Sequence, residues 1–167
     1  MVYATLVGLP ANLLNCLQSV LNAAARSVAG LRRSDHITDT LASFRWLRAP
    51  ERIKFKLAVI VYRSIHGTAP RYMSDLLHCV SDITSRRRLR WSTSSELVIP
   101  LSRLVTVGDR SFAVAGPRLW NTLPKEITSA PSLLVFRRKL KTHLFRQSYP
   151  DISLCGMLRP VVLEVFT

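Results

Sequence analysis

The sequence predicts a mainly α fold: a small helical domain of about five or six helices, with a basic loop and room for a short β-hairpin in its middle. Three observations carry that prediction. Apolar residues recur at the 3.6-residue period over 12–30 and again over 131–145. Proline and glycine bracket the run 50–67 as they bracket a helix. With 48% apolar residues, the 167-residue chain can bury one substantial core.

Over 12–30, Leu13, Leu17, Val20, Leu21, Ala24 and Val28 share one side of a helix, while Asn15, Gln18, Ser19, Asn22 and Arg26 share the other. Asn12 is read as its N-cap and Gly30 as its left-handed stop. A shorter helix is expected over 37–47, capped by Thr38 or Asp39. The run 50–67 alternates like a strand at Ile53, Phe55 and Leu57, but its length between Pro50 and Gly67 favours a buried helix. A short helix follows Pro70. "ELVIP" (96–100) and "RLVTV" (103–107) read as two short strands. Over 109–124, Phe112, Ala115, Leu119 and Trp120 fall at helical spacing, and Gly116-Pro117 is expected to kink or divide that helix. The last helix has Pro131 in its first turn, Ser129 as candidate cap, and Leu133, Phe136, Leu140 and Leu144 in one stripe. The expected core is Leu13, Leu17, Val20, Ile53, Leu57, Ile60, Phe112, Trp120, Phe136 and Leu140.

This divides the chain into a helical N-terminal half (1–80), a basic loop with short strands (81–108), a helical C-terminal half (109–150) and an off-pattern tail (151–167). Charge is unevenly spread among them. The chain carries 24 Lys and Arg against 10 Asp and Glu, a net +14. Nine of those bases, against two acids, lie in 101–150, whereas the tail has one base and two acids. Such an excess points to a polyanionic partner, RNA or DNA first and an anionic membrane second. No apolar run approaches the ~20 residues that a membrane-spanning helix needs, so no transmembrane segment is expected. Cys16, Cys79 and Cys155 are odd in number and widely spaced, which fits a reducing intracellular setting, nuclear or cytoplasmic. The first residues lack a basic n-region and an apolar run of signal-peptide length, so secretion is not expected.

Catalytic patterns are missing. Two-metal phosphoryl chemistry needs converging carboxylates, and none of the ten acids are adjacent in sequence. Asp35 and Asp39 come closest, at a spacing that suits capping better than metal binding. The six glycines never cluster into a phosphate cradle. His36, His66, His78 and His143 make no zinc spacing with cysteine, and no Ser or Cys sits in an activating context. No cofactor, metal or small-molecule substrate is expected, and the sequence fixes no oligomeric state.

Binding chemistry remains. "SRRRLRW" sets Arg86, Arg87, Arg88 and Arg90 beside Trp91, pairing guanidinium groups for phosphate with an indole that can stack on an unpaired base. A flexible linker is the plainer reading of that loop. On the last helix, Arg137 and Lys141 flank the apolar stripe, with Arg138, Lys139 and Arg146 around the remaining arc. A solvated helix surface would account for much of that pattern, since long basic stems cover apolar surface while their charges stay wet. Contact with a polyanion is the sharper reading.

Four stretches taken in order are more specific than any one of them: "LQSVLNAAARSVAGLRRSDHIT" followed by "FRWL", then "RIKFKLAVIVYRSIHGTAPRYMSDLL", "GDRSFAVAGPRLWNTLP" and "SAPSLLVFRRKLKTHLF". Together they resemble the C-terminal region of non-LTR (LINE-type) retrotransposon reverse transcriptases of the CR1, L2 or jockey-like kind, over roughly residues 9–153. The resemblance implies a parent polyprotein with an RNA-directed DNA polymerase and an endonuclease. The YxDD-type palm motif is not in this sequence, so no catalytic residue carries over and enzymatic activity is not expected. "RWLRAP" (45–50) departs from the family's tryptophan-leucine-proline pattern, and the tail after Ser153 leaves it altogether. The expectation is a non-catalytic C-terminal fragment, either a relic or an accessory segment that contacts nucleic acid. The alternatives are a stand-alone basic nucleic-acid-binding module and a peripheral membrane or protein-interaction helical module.

Overall fold

In the computed structural model, which describes residues 6–82, 96–101 and 108–150, one long helix packs against four of the others. That helix, α3 (Ala49–Ile65), packs against α5 (Phe112–Thr122) and α7 (Leu133–Ser148) on one side. It also meets α1 (Ala11–Ala29) and the short α4 (Arg71–Ser74). α2 (Thr38–Ser43) leans on α1, and α6 (Lys125–Thr128) leads into α7. The fold is mainly helical, as the periodicities require.

The centre is aromatic. Leu57, Val61 and Tyr62 of α3 meet Phe112, Ala115 and Trp120 of α5 and Phe136, Leu140 and Leu144 of α7, all buried. The Tyr62 and Phe136 rings stack at 4.4 Å, and Trp120 lies 5.8 Å from Phe136. The Tyr62 hydroxyl donates to Ala130 O at 3.0 Å, so this buried polar atom is satisfied. Ile53 and Ile60 are only half-buried. α3 is a helix rather than a strand, with Pro50 in its first turn and Gly67 left-handed (φ 67°) just beyond its end.

The α5 helix runs on through Gly116-Pro117, so the pair does not divide it. Pro117 removes one helical hydrogen bond, but its ring is wholly buried. Gly116 lets α5 press onto α3: a Cβ there would stand 3.0 Å from Val61 Cγ2. Close packing outweighs the one lost bond. α7 is capped by Ser132, whose Oγ accepts from Val135 N, while Ser129 ends α6 instead. α2 is shorter than expected and has no side-chain cap, so neither Thr38 nor Asp39 serves.

Among the described residues, the expected strand at 96–100 makes one antiparallel bridge, Cys79 with Leu97. Val80 N donates to Glu96 O (3.0 Å) and Val98 N to His78 O (2.8 Å). Leu97 is 2% exposed and belongs to the core. Its supposed partner at 103–107 lies outside the described residues.

α1 overturns the largest expectation. Leu13, Leu17 and Val20, placed in the core, are 46%, 38% and 68% exposed, and Val28 is 63% exposed. The inward side carries Leu14, Gln18, Leu21, Asn22 and the fully buried Ala25. Hydrogen bonding explains the turn. The N-terminal amides of a helix need acceptors, and Arg48 at the N-cap of α3 supplies none from its side chain. Gln18 does so instead, its Oε1 accepting from Ala49 N at 2.8 Å while its Nε2 donates to Asn22 Oδ1. Pro10 rather than Asn12 is the N-cap residue of α1, and Gly30 closes the helix in the left-handed region (φ 65°), as read.

Candidate functional site

The α7 helix anchors itself through Phe136, Leu140, Leu144 and Phe145, all buried, so the residues between them must face outward. Arg138, Lys141, Thr142 and Phe145 follow at three- and four-residue steps and line one side of a cavity of about 140 Å³. Arg45 forms the opposite side.

Arg45 reaches that position through its backbone. α2 ends with Trp46 N donating to Leu41 O and Arg45 N to Ala42 O, both at 2.9 Å, the paired bonds of a Schellman ending. The residue at the turn must be left-handed, and Arg45 has φ 53°. α1 and α3 end on left-handed glycines, Gly30 and Gly67. An L-residue with a Cβ is disfavoured there by roughly 1–2 kcal/mol, so the sequence carries a cation where glycine would be the more stable choice.

The start of α3 and the end of α7 lock this arrangement. The Tyr149 hydroxyl donates to Trp46 O at 2.9 Å. The Arg48 guanidinium lies 5.1 Å over the Tyr149 ring, and that of Arg52 lies 5.5 Å over the Trp46 ring. Arg45, Arg52, Arg137 and Lys141 therefore share one neighbourhood. Partial burial, then the positive fields of Arg45, Arg52 and Arg137, hold the Lys141 ammonium below its usual pKa. Burial likewise lowers the pKa of Arg52. The two ion pairs among the described residues, Lys54–Glu51 and Arg118–Asp109, involve none of these four cations.

The predicted residues divide. Arg137, Arg138 and Lys141 converge with Arg45. Lys139 turns away, its Nζ donating to Glu126 O at 2.9 Å. Arg146 is exposed on the last turn of α7. Arg86, Arg87, Arg88, Arg90 and Trp91 lie outside the described residues. Sequence reading missed Arg45 and Arg52. The available signal was the run "FRWLRAPERIKFK" (44–56), which packs five bases around the lone acid Glu51.

Among the described residues no group of three or more His, Cys, Asp or Glu could hold a metal ion, and no helix is long and apolar enough to cross a membrane. The chain matches no protein-family model, no curated protein and no solved structure.

Proposed function

We propose that the chain is a non-catalytic, basic helical segment that contacts RNA or DNA, the C-terminal fragment of a retrotransposon RNA-directed DNA polymerase of the kind its sequence resembles. The observation that carries the reading is the convergence of Arg45, Arg52, Arg137 and Lys141 on one surface, with none of the four in an ion pair among the described residues. Like charges brought together raise the energy of the free protein, and an anionic backbone relieves it. Arginine forks and an ammonium suit phosphate oxygens. Such contacts position a backbone without reading bases, so binding is nearly independent of sequence. The Arg86–Arg90 run with Trp91 supplies a second contact in this reading, suited to single strands. Anisotropy titrations of single-stranded RNA and duplex DNA with the full chain test it. Binding at low salt that weakens steeply as salt rises is expected, and no binding at low salt overturns the reading.

The exposed side of α1 favours a second reading, the protein-interaction module, with a second copy of this chain as the partner. Leu13, Leu17, Val20 and Ala24 follow the 4-3-4 spacing of a coiled-coil seam. The only charged residue of α1 is Arg26, half-buried with its guanidinium directed to Asp35 O. On a chain of net charge +14, this uncharged face is where two copies meet with least repulsion. Sedimentation at increasing concentration tests it: Leu17→Gln together with Val20→Gln should abolish a dimer, and a parent that stays monomeric removes the reading.

A further inference from the structure

We propose that the cavity between the α2–α3 turn and α7, walled by Arg45, Arg138, Lys141, Thr142 and Phe145, is a discrete binding site for one phosphate group. The inference deepens the proposed function and rests on it only for the source of that phosphate, a nucleic-acid backbone. The two can fail separately.

Shape comes first. The cavity of about 140 Å³ is open on the protein surface and floored by the buried Phe145 ring. At about 30 Å³ per water, it has room for a tetrahedral phosphate with one or two waters. Three cationic side chains reach it from two directions, Arg45 from the turn and Arg138 with Lys141 from successive turns of α7. Two forked guanidinium groups and one ammonium satisfy several phosphate oxygens at once. The Thr142 hydroxyl is committed to Arg138 O at 3.1 Å, so it serves as wall rather than ligand.

Backbone strain points the same way. Gly30 and Gly67 relieve the left-handed endings of α1 and α3, but the ending of α2 holds Arg45 at φ 53°. A strained position filled by a charged side chain that lines a cavity is a feature stability does not account for. Electrostatics follows from the same geometry. Lys141 is held below its ordinary pKa by partial burial and by Arg45, Arg52 and Arg137. A bound dianion would reverse that sign, because its field favours the charged ammonium.

Two variants separate binding from folding. Arg45→Gly removes one cation while placing at the left-handed position the residue that suits it, so the fold should be at least as stable as the parent. Lys141→Gln removes a second cation from an exposed site on α7. The experiment titrates the full chain with inorganic phosphate at constant ionic strength, following lysine and arginine side-chain resonances by NMR. Saturable shifts confined to Arg45, Arg138 and Lys141, with an upward move of the Lys141 pKa, are expected. Each variant should weaken phosphate binding at least fivefold, with Arg45→Gly showing no loss of thermal stability. Non-saturating shifts spread over all surface cations, or phosphate binding unchanged in Arg45→Gly, would overturn the site. Single-stranded RNA and phosphatidate vesicles form two further arms. Competition of RNA with phosphate for Lys141 supports the assigned source. Competition by vesicles alone overturns that source. RNA binding without a saturable phosphate site leaves the proposed function standing and removes this inference.

Discussion

The side-chain amide of Asn121 brackets the backbone of Leu97: Leu97 N donates to Asn121 Oδ1 and Asn121 Nδ2 donates to Leu97 O, each at 2.9 Å. The pair works as one rung of a β-ladder supplied by a helix. It lets a lone extended residue enter a helical core with both backbone groups satisfied. Asn121→Ala leaves those groups without this partner, and the expected cost is about 1–3 kcal/mol. Urea denaturation checks it, and a neutral change would show that the bridge to Cys79 and the Leu97 side chain hold this residue without Asn121.

Burial on α7 and exposure on α1 predict opposite outcomes for similar substitutions. Leu140 is 0% exposed, so Leu140→Ala should cost about 2–5 kcal/mol. Val20 is 68% exposed, and Val20→Ala should stay within about 0.5 kcal/mol. Gln18→Ala should cost more than Val20→Ala, since it strips the acceptor from Ala49 N. A large loss at Val20 with none at Gln18 would restore the inward apolar face read from sequence.

Tyr149 gives the fold an alkaline limit. Burial, the largest cause, raises its pKa above the ordinary value near 10.0, against the opposing pull of Arg48. Folding therefore favours the protonated phenol, the form that donates to Trp46 O. That contribution is fully present below the unfolded pKa and is lost as pH rises through the folded one, so stability should fall above about pH 10. Tyr149→Phe should cost about 0.5–1.5 kcal/mol at neutral pH through the lost hydrogen bond. It should also flatten the alkaline arm of a melting-temperature profile.

The part of this fold that the sequence discloses is the part governed by one term. The stripe of α7 has a single apolar side, and its period alone places Phe136, Leu140 and Leu144 inside. On α1 two terms compete. The period reveals that an apolar side exists, but the direction it faces depends on the Ala49 amide, which no local pattern in α1 announces. The site divides in the same way. Arg137, Arg138 and Lys141 are visible as a run of bases. Arg45 is not, because a left-handed helix end is normally flagged by glycine and here is occupied by arginine. Arg52 joins the cluster only through the turn that Arg45 makes.

The measurement that bears most directly on the cationic face compares two variants that lose equal charge. One replaces Arg137, Arg138 and Lys141 with glutamine. The other replaces Arg32 and Arg33, after α1, and Arg71, at the start of α4, in the same way. Each phosphate contact contributes roughly 0.7–0.9 to the slope of log affinity against log salt, so loss of the α7 cations should flatten it by about two to three units. The control variant, with the same net charge, should flatten it by less than about one unit. That difference is the expected result for both single-stranded RNA and duplex DNA. Equal slopes for the two variants would contradict a localised nucleic-acid contact on α7, leaving only the diffuse pull of a +14 chain.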